Sequence, residues 1–302
     1  MKRKASYILL TMSLIALLFA GCNDKDGPIK NEPSISVSLG WADISDAEIV
    51  VSDTRVWVFQ ADGKLVAEKQ STTHQEGTLD IHDLNGGEYM VVAAINLVAP
   101  FSIGKESSSQ ELFFKLDEAS SSPAHAHYSV TMVNVKPNEN SQVVVSLRRI
   151  LSEFSIEVEG APQGTTLVAS INNVADGILP LQKDDDGEWG RATSGSKNVV
   201  TIPAATTIDG AISTQTMRLM PTTLEAATRA DDANSHLQFL FTLPDGSTMQ
   251  CNAHAPAMKA SGKYSLKMKY SELKPYMRID PIKINDWEEG WTVNGEILNP
   301  TN

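Results

Sequence analysis

Apolar and polar residues alternate with a period of two along most of the chain, a pattern that suits β-strands with one buried face. Ile35, Val37 and Leu39 alternate with Ser36 and Ser38. Val56 and Val58, flanked by Trp57 and Phe59, lead into Ala61-Asp62-Gly63, after which Leu65-Val66-Ala67 resumes. Two apolar runs joined by Asp-Gly predict a hairpin, because glycine accepts the positive φ of the turn. Leu84-Asn85-Gly86-Gly87 is a second turn and feeds the unbroken apolar run from Met90 to Ile95. Further strands are predicted over residues 129–135, 142–147, 153–158, 166–171, 198–202 and 216–219. After these come 237–243, a turn at Pro244-Asp245-Gly246, then 248–253, 264–270, 282–284 and 291–297. Many short strands between turn signals predict sandwiches, not a parallel α/β sheet. The one helical expectation is residues 109–118, where Leu112, Phe113 and Leu116 share a face at helical spacing.

The organisation that follows has four parts. Residues 1–21 read as an export signal: Lys2, Arg3 and Lys4 form a basic head, an apolar stretch runs from Tyr7 to Ala20, and Ala20-Gly21 precede Cys22. The stretch is shorter than the roughly 20 apolar residues that a spanning helix needs. Small residues before a cysteine resemble the bacterial lipobox, with Phe19 where leucine is usual, and make Cys22 the expected lipidation site. More than one acyl chain gives durable anchoring where a single chain is marginal. Residues 22–33 are polar, contain Gly27, Pro28 and Pro33, and read as a tether. The remainder divides near residues 148–152 into an N-terminal β-sandwich, 34–150, and a C-terminal one, 151–302, each of ordinary domain size.

Charge and composition exclude more than they nominate. The formal net charge is −12, and the export signal holds three of the positive charges. An acidic surface of that kind disfavours nucleic acid and anionic lipid headgroups. Beyond Cys22 the only cysteine is Cys251, which cannot form an internal disulfide and sits where it would pack inward. His125 and His127 could face one side of a strand, but zinc wants three or four ligands, and His74, His82, His236 and His254 lie at no telling spacing. Asp184-Asp185-Asp186-Gly187-Glu188 lacks the calcium-loop register and reads as a solvated turn. Ser194 and Lys197 match Ser-x-x-Lys without the companion motifs of penicillin-binding enzymes. No catalytic residue, metal site or cofactor is nominated. Trp287 and Trp291 stand in an acidic turn, where they either cap the core or offer a platform to a glycan or other ligand.

The order of these features resembles the Bacteroidales fimbrillin family, the builders of type V pili, and in particular its anchor-type and minor subunits. The resemblance rests on the lipobox and acidic tether, on the early strand 35–39, and on Arg55-Val56-Trp57-Val58-Phe59 with its Asp62-Gly63 turn. It extends through Gly87-Glu88-Tyr89 to Asn96, through Val145-Ser146-Leu147-Arg148-Arg149, and through Ile282 to Trp287. The resemblance implies an all-β fold of two transthyretin-like Greek-key sandwiches in tandem. It implies a place on the outer membrane, lipid-anchored and surface-exposed, with other fimbrial subunits as partners. Asp24 and Asp26 resemble the acidic surface-export signal of such lipoproteins. In polymerising members a protease cuts behind a basic residue after the first strand, and a neighbour's C-terminal strand fills the groove so opened. Here no Arg or Lys lies between Leu39 and Arg55. That departure favours an anchor or terminal subunit. Trp291, Val293 and Ile297 alternate with polar residues and mark a candidate donated strand, the alternative being that this strand closes its own sandwich.

Overall fold

Where strands have one face in water they alternate, and where both faces are covered they read as continuous apolar runs. The computed structural model describes residues 32–43, 50–71, 78–105, 111–117, 123–193, 199–223, 237–255, 257–285 and 288–294. These are strands and turns, with a single 3-10 turn at Tyr270–Glu272. The fold class is all-β.

The N-terminal half, to Ile150, contributes β1 (Ser34–Trp41), β2 (Thr54–Gln60), β3 (Leu65–Ser71), β4 (Leu79–Ile81), β5 (Gly87–Ile95), β6 (Phe101–Lys105), β7 (Leu112–Leu116), β8 (His127–Val135) and β9 (Asn140–Arg149). One layer has the order β3-β2-β5-β8 and the other β9-β1-β4. They are joined where β8 meets β9 through the pairs His127↔Arg149 and Tyr128↔Arg148. Ile35 and Val37 of β1, Val145 and Leu147 of β9, and Val56, Val58, Val91, Ala93 and Ile95 form the core between the layers. The alternate residues of β2 and β5, Trp57, Phe59, Met90, Val92 and Ala94, point the other way into a second core. Burial on both faces explains why residues 90–95 carry no alternation.

The C-terminal half contributes β10 (Ser152–Glu159), β11 (Thr166–Ile171), β12 (Gly177–Lys183), β13 (Trp189–Ala192), β14 (Val200–Thr206), β15 (Ala211–Ser213), β16 (Met217–Leu219), β17 (Leu237–Thr242), β18 (Thr248–His254), β19 (Lys263–Lys269), β20 (Tyr276–Asn285) and β21 (Glu288–Asn294). Its main sheet runs β14-β11-β17-β18-β20-β21-β19-β10-β15, with β16 also on β10. Phe154, Ile156, Leu167, Phe239, Cys251 and Leu266, from both ends of that order, share one core, so the sheet folds back over itself.

The two halves repeat one plan. The order β3-β2-β5-β8 … β9-β1-β4 reappears as β14-β11-β17-β18 … β19-β10-β15. Directions match as well: β1 is parallel to β9 and antiparallel to β4, as β10 is parallel to β19 and antiparallel to β15. Each half also carries an inserted hairpin, β6–β7 in the first and β12–β13 in the second, and these pair through β7 and β12 into one four-stranded sheet. Gly177 is required at that seam, since a Cβ there would lie 2.2 Å from the Phe114 carbonyl oxygen.

One expectation is corrected. The described part of residues 109–118 is strand β7, not helix, with Leu112, Phe114 and Leu116 buried on one face. The predicted turns are present at Gly63, Gly187 and Gly246, with φ of 83°, 84° and 83°. In each an aspartate, one residue before the glycine at Asp62 and Asp245 and three before it at Asp184, accepts a bond from a backbone N–H further on.

Candidate functional site

The first strand lies in a groove of the N-terminal half. Val37 and Ile35 are fully buried, and β1 is paired along both edges. Its register with β9 is unbroken from Ser34↔Asn140 to Trp41↔Leu147. In its middle, Ser36 Oγ donates to Asp80 Oδ1 at 2.5 Å, and Asn140 Nδ2 donates to Ser36 Oγ at 2.9 Å. Serine suits this position because its hydroxyl both donates and accepts between two neighbouring strands.

The far end of β1 is clasped to the junction between the halves. The Trp41 ring meets His127 edge-on with centroids 5.3 Å apart, and the Ala42 amide donates to the Leu147 carbonyl at 2.8 Å. Asp43 Oδ2 stands 3.7 Å from Arg149 and 3.9 Å from Lys263 of β19, so it faces cations of both halves. Nearby, His125 Nε2 lies 2.8 Å from Glu153 Oε1. That hydrogen bond, with the charges of His125, Arg149 and Lys263, holds the Glu153 carboxyl below its ordinary value against the upward push of burial. Trp41, Asp43, Arg149 and Glu153 were not picked out as a group from the sequence, because partners on separate strands, such as Asp43 and Arg149, leave no spacing signal. His125 and His127 were singled out, and the structure puts them in this clasp, with ring centroids 6.1 Å apart. Among the described residues, no group of three or more His, Cys, Asp or Glu side chains is placed to hold a metal ion.

Between β1 and β2 there is no basic residue before Arg55. Arg55 is itself in a strand paired on both sides, to Gln70 and Ala94, and its Nε binds Asp53 Oδ2 at 3.2 Å. A protease needs an extended, unpaired segment, and this basic residue does not offer one.

The other predicted residues fall as follows. Cys22, Trp287 and Ile297 lie outside the described residues. Trp291 and Val293 are in β21, an interior strand paired antiparallel with β20 and parallel with β19. Cys251 is buried, and burial pushes its thiol up to about 11, which leaves no thiolate for chemistry near neutrality. Asp184 Oδ1 accepts from the Asp186 and Glu188 amides at 3.0 and 2.8 Å, so the acidic turn uses this carboxylate to hold its own backbone.

The family model of fimbrillin-A associated anchor proteins Mfa1 and Mfa2 matches residues 26–291. The chain belongs to that family. No curated protein matches it. Among solved structures, a candidate adhesin from Bacteroides thetaiotaomicron VPI-5482 is 13% identical, over 72% of this chain and 80% of that one, with a TM-score of 0.50. The fimbrial anchor protein Mfa2 from Porphyromonas gingivalis is 13% identical over 89% of this chain and 99% of that one, at a TM-score of 0.46. The tip fimbrial protein Mfa3 from the same organism, with a C-terminal truncation, is 11% identical over 87% and 99%, at 0.45. In this member of the family the first strand is docked, paired at both edges and fastened at its downstream end.

Proposed function

We propose that the chain is a non-catalytic anchor or accessory subunit of a surface fimbrium, tethered to the outer membrane through acyl chains on Cys22 and joined to other subunits by β-strand complementation. The observation that carries this reading is β1 in its groove, with no basic residue between it and Arg55. A first strand that stays docked keeps the lipidated N-terminus continuous with the folded body, as an anchor requires. A groove that stays filled cannot accept a donor strand, as a repeating stalk unit must. The interior position of β21 supports the reading in which the candidate strand at Trp291 and Val293 closes its own half. On this reading residues 34–150 and 151–302 are two units joined by the four-stranded sheet, a rigid link between membrane and fibre.

Intact-mass analysis of the membrane-extracted protein, before and after trypsin treatment of whole cells, tests it. Before trypsin the expected product begins at an acylated Cys22; after it, cleavage near the N-terminus is confined to Lys25 and Lys30 of the tether, with none behind the strand-paired Arg55. A mature N-terminus beyond β1, or an unacylated one, would refute the anchor. Cys22→Ala is expected to release the protein from the surface, and fimbrial subunits are expected to co-purify with the wild type from sheared cells.

A further inference from the structure

The repeated plan of the two halves breaks at one place. In the C-terminal half, the side of the fold between β18 and β19 is filled by the hairpin β20–β21, with β20 parallel to β18 and β21 parallel to β19. The counterparts in the N-terminal half are β8 and β9, and nothing described stands between them. They pair only at His127↔Arg149 and Tyr128↔Arg148. From there to the turn, residues 129–135 of β8 and 140–147 of β9 face this side with no strand partner among the described residues.

These two edges also lack what other edges carry. Edge strands are normally guarded by charge, proline, bulges or shortness, because a bare ladder recruits other chains. β3 bears Glu68, Lys69 and a register shift against β2, and β14 bears Pro203 and a shift against β11. β13 is four residues with Arg191 and a shift, and β4 and β15 are three residues each. Residues 129–135 and 140–147 contain no charge, no proline and no shift, and are rich in valine. Met132 and Val144 on them are 52% and 71% exposed. Long, uncharged, valine-rich and open is the composition of an edge meant to be paired.

We infer that the side of the N-terminal half between β8 and β9 accepts an extended strand from a partner fimbrial subunit, running parallel to β9 as β21 runs parallel to β19. This rests on the anchor reading and gives it a docking place other than the groove that β1 fills. The partner segment is uncharged along its paired length, since both edges are neutral and an ionised side chain laid against them would lose hydration without gaining a counter-charge. It presents apolar side chains at alternate positions, toward Met132 and Val144. The β8–β9 turn is beside the start of β1, where the Ser34 amide donates to Glu139, so the acceptor edge begins next to the point from which the tether leaves.

The test uses the full-length lipoprotein on its own cells. A photoreactive residue at position 144 is expected to cross-link to an extended segment of a fimbrial subunit, identified by peptide mapping, while one at position 68 on the β3 edge does not. Met132→Lys and Val144→Lys, each at an exposed position, are expected to lower recovery of fimbrial subunits with the purified protein by about tenfold, with the melting temperature unchanged. If the wild type brings down subunits and both lysine variants do so equally, the acceptor edge is wrong and the anchor stands. If the wild type brings down none, both fall together. A cross-link into a second copy, or into residues 295–302 of the same chain, overturns the choice of occupant.

Discussion

Replacing Tyr128 by phenylalanine removes one oxygen atom from the joint between the halves. That oxygen donates to the Trp189 carbonyl at 2.6 Å and accepts from Arg148 Nη2 at 2.6 Å. The ring is fully buried, set edge-on against Phe114, and the Arg148 guanidinium lies 5.0 Å from its centroid. A neutral hydrogen bond contributes about 1 kcal/mol and one to a charged group about 1.5–3 kcal/mol. Arg148 is partly exposed and can turn to Glu188 or to water, so the expected loss for Tyr128→Phe is about 2–3 kcal/mol near pH 8. Burial, outweighing the charge and hydrogen bond of Arg148, pushes the phenol from 10.0 up to about 12. Between those pH values the unfolded chain releases this proton while the folded chain keeps it, so stability falls as pH rises, by ~3 kcal/mol in all. The variant has no such proton to hold. Urea unfolding at pH 8, 10 and 11.5, followed by tryptophan fluorescence, should show the wild type ahead at pH 8 and the gap closing with alkali. A gap that stays constant from pH 8 to 11.5 would refute the reasoning, as would a variant as stable as the wild type at pH 8.

Three further outcomes follow from the geometry. Gly177→Ala drives a methyl group into the Phe114 carbonyl at the β7–β12 seam and is expected to cost about 3 kcal/mol, read as a lower urea midpoint; an unchanged midpoint would show that the seam yields freely. Glu153, held below its ordinary value mainly by His125, lends stability that is present above the usual glutamate range and lost as pH falls through its folded value. His125→Ala should therefore move acid unfolding to higher pH, and an identical acid midpoint would count against the clasp. Cys251 should resist a thiol reagent at pH 8 in the folded protein and react after denaturation, whereas rapid labelling of the native chain would contradict its burial.

Strands with one wet face were legible because their side chains obey the pleat. In β10 the even-numbered residues Phe154, Ile156 and Val158 are buried and the odd ones are not, while β11 and β17 alternate with their odd-numbered residues buried. The Asp-Gly turns were legible because only glycine takes their φ without cost. Strand β7 was misread because Leu112 and Leu116 fit a period of two and a helical period equally well. The burial of Phe114 over Phe113 decides between them, and that depends on what packs above. β6, β12 and β13 gave no usable signal. β12 is buried along Gly177, Ile178, Leu179 and Pro180, a run whose glycine and proline suggest a loop.

What the sequence by itself determined, then, was everything carried by neighbours along the chain: the β class, the turns, an N-terminal stretch with the pattern of an export signal, and a first strand with no Arg or Lys between it and Arg55. Only the tertiary structure decided which strands pair. It joined β7 to β12 across the two halves, enclosed β21 between β19 and β20, and, among the described residues, left β8 and β9 unpaired with each other beyond Tyr128. The physical reason is that a ladder joins residues a hundred positions apart through backbone groups common to every residue, so side-chain order alone does not encode the partner.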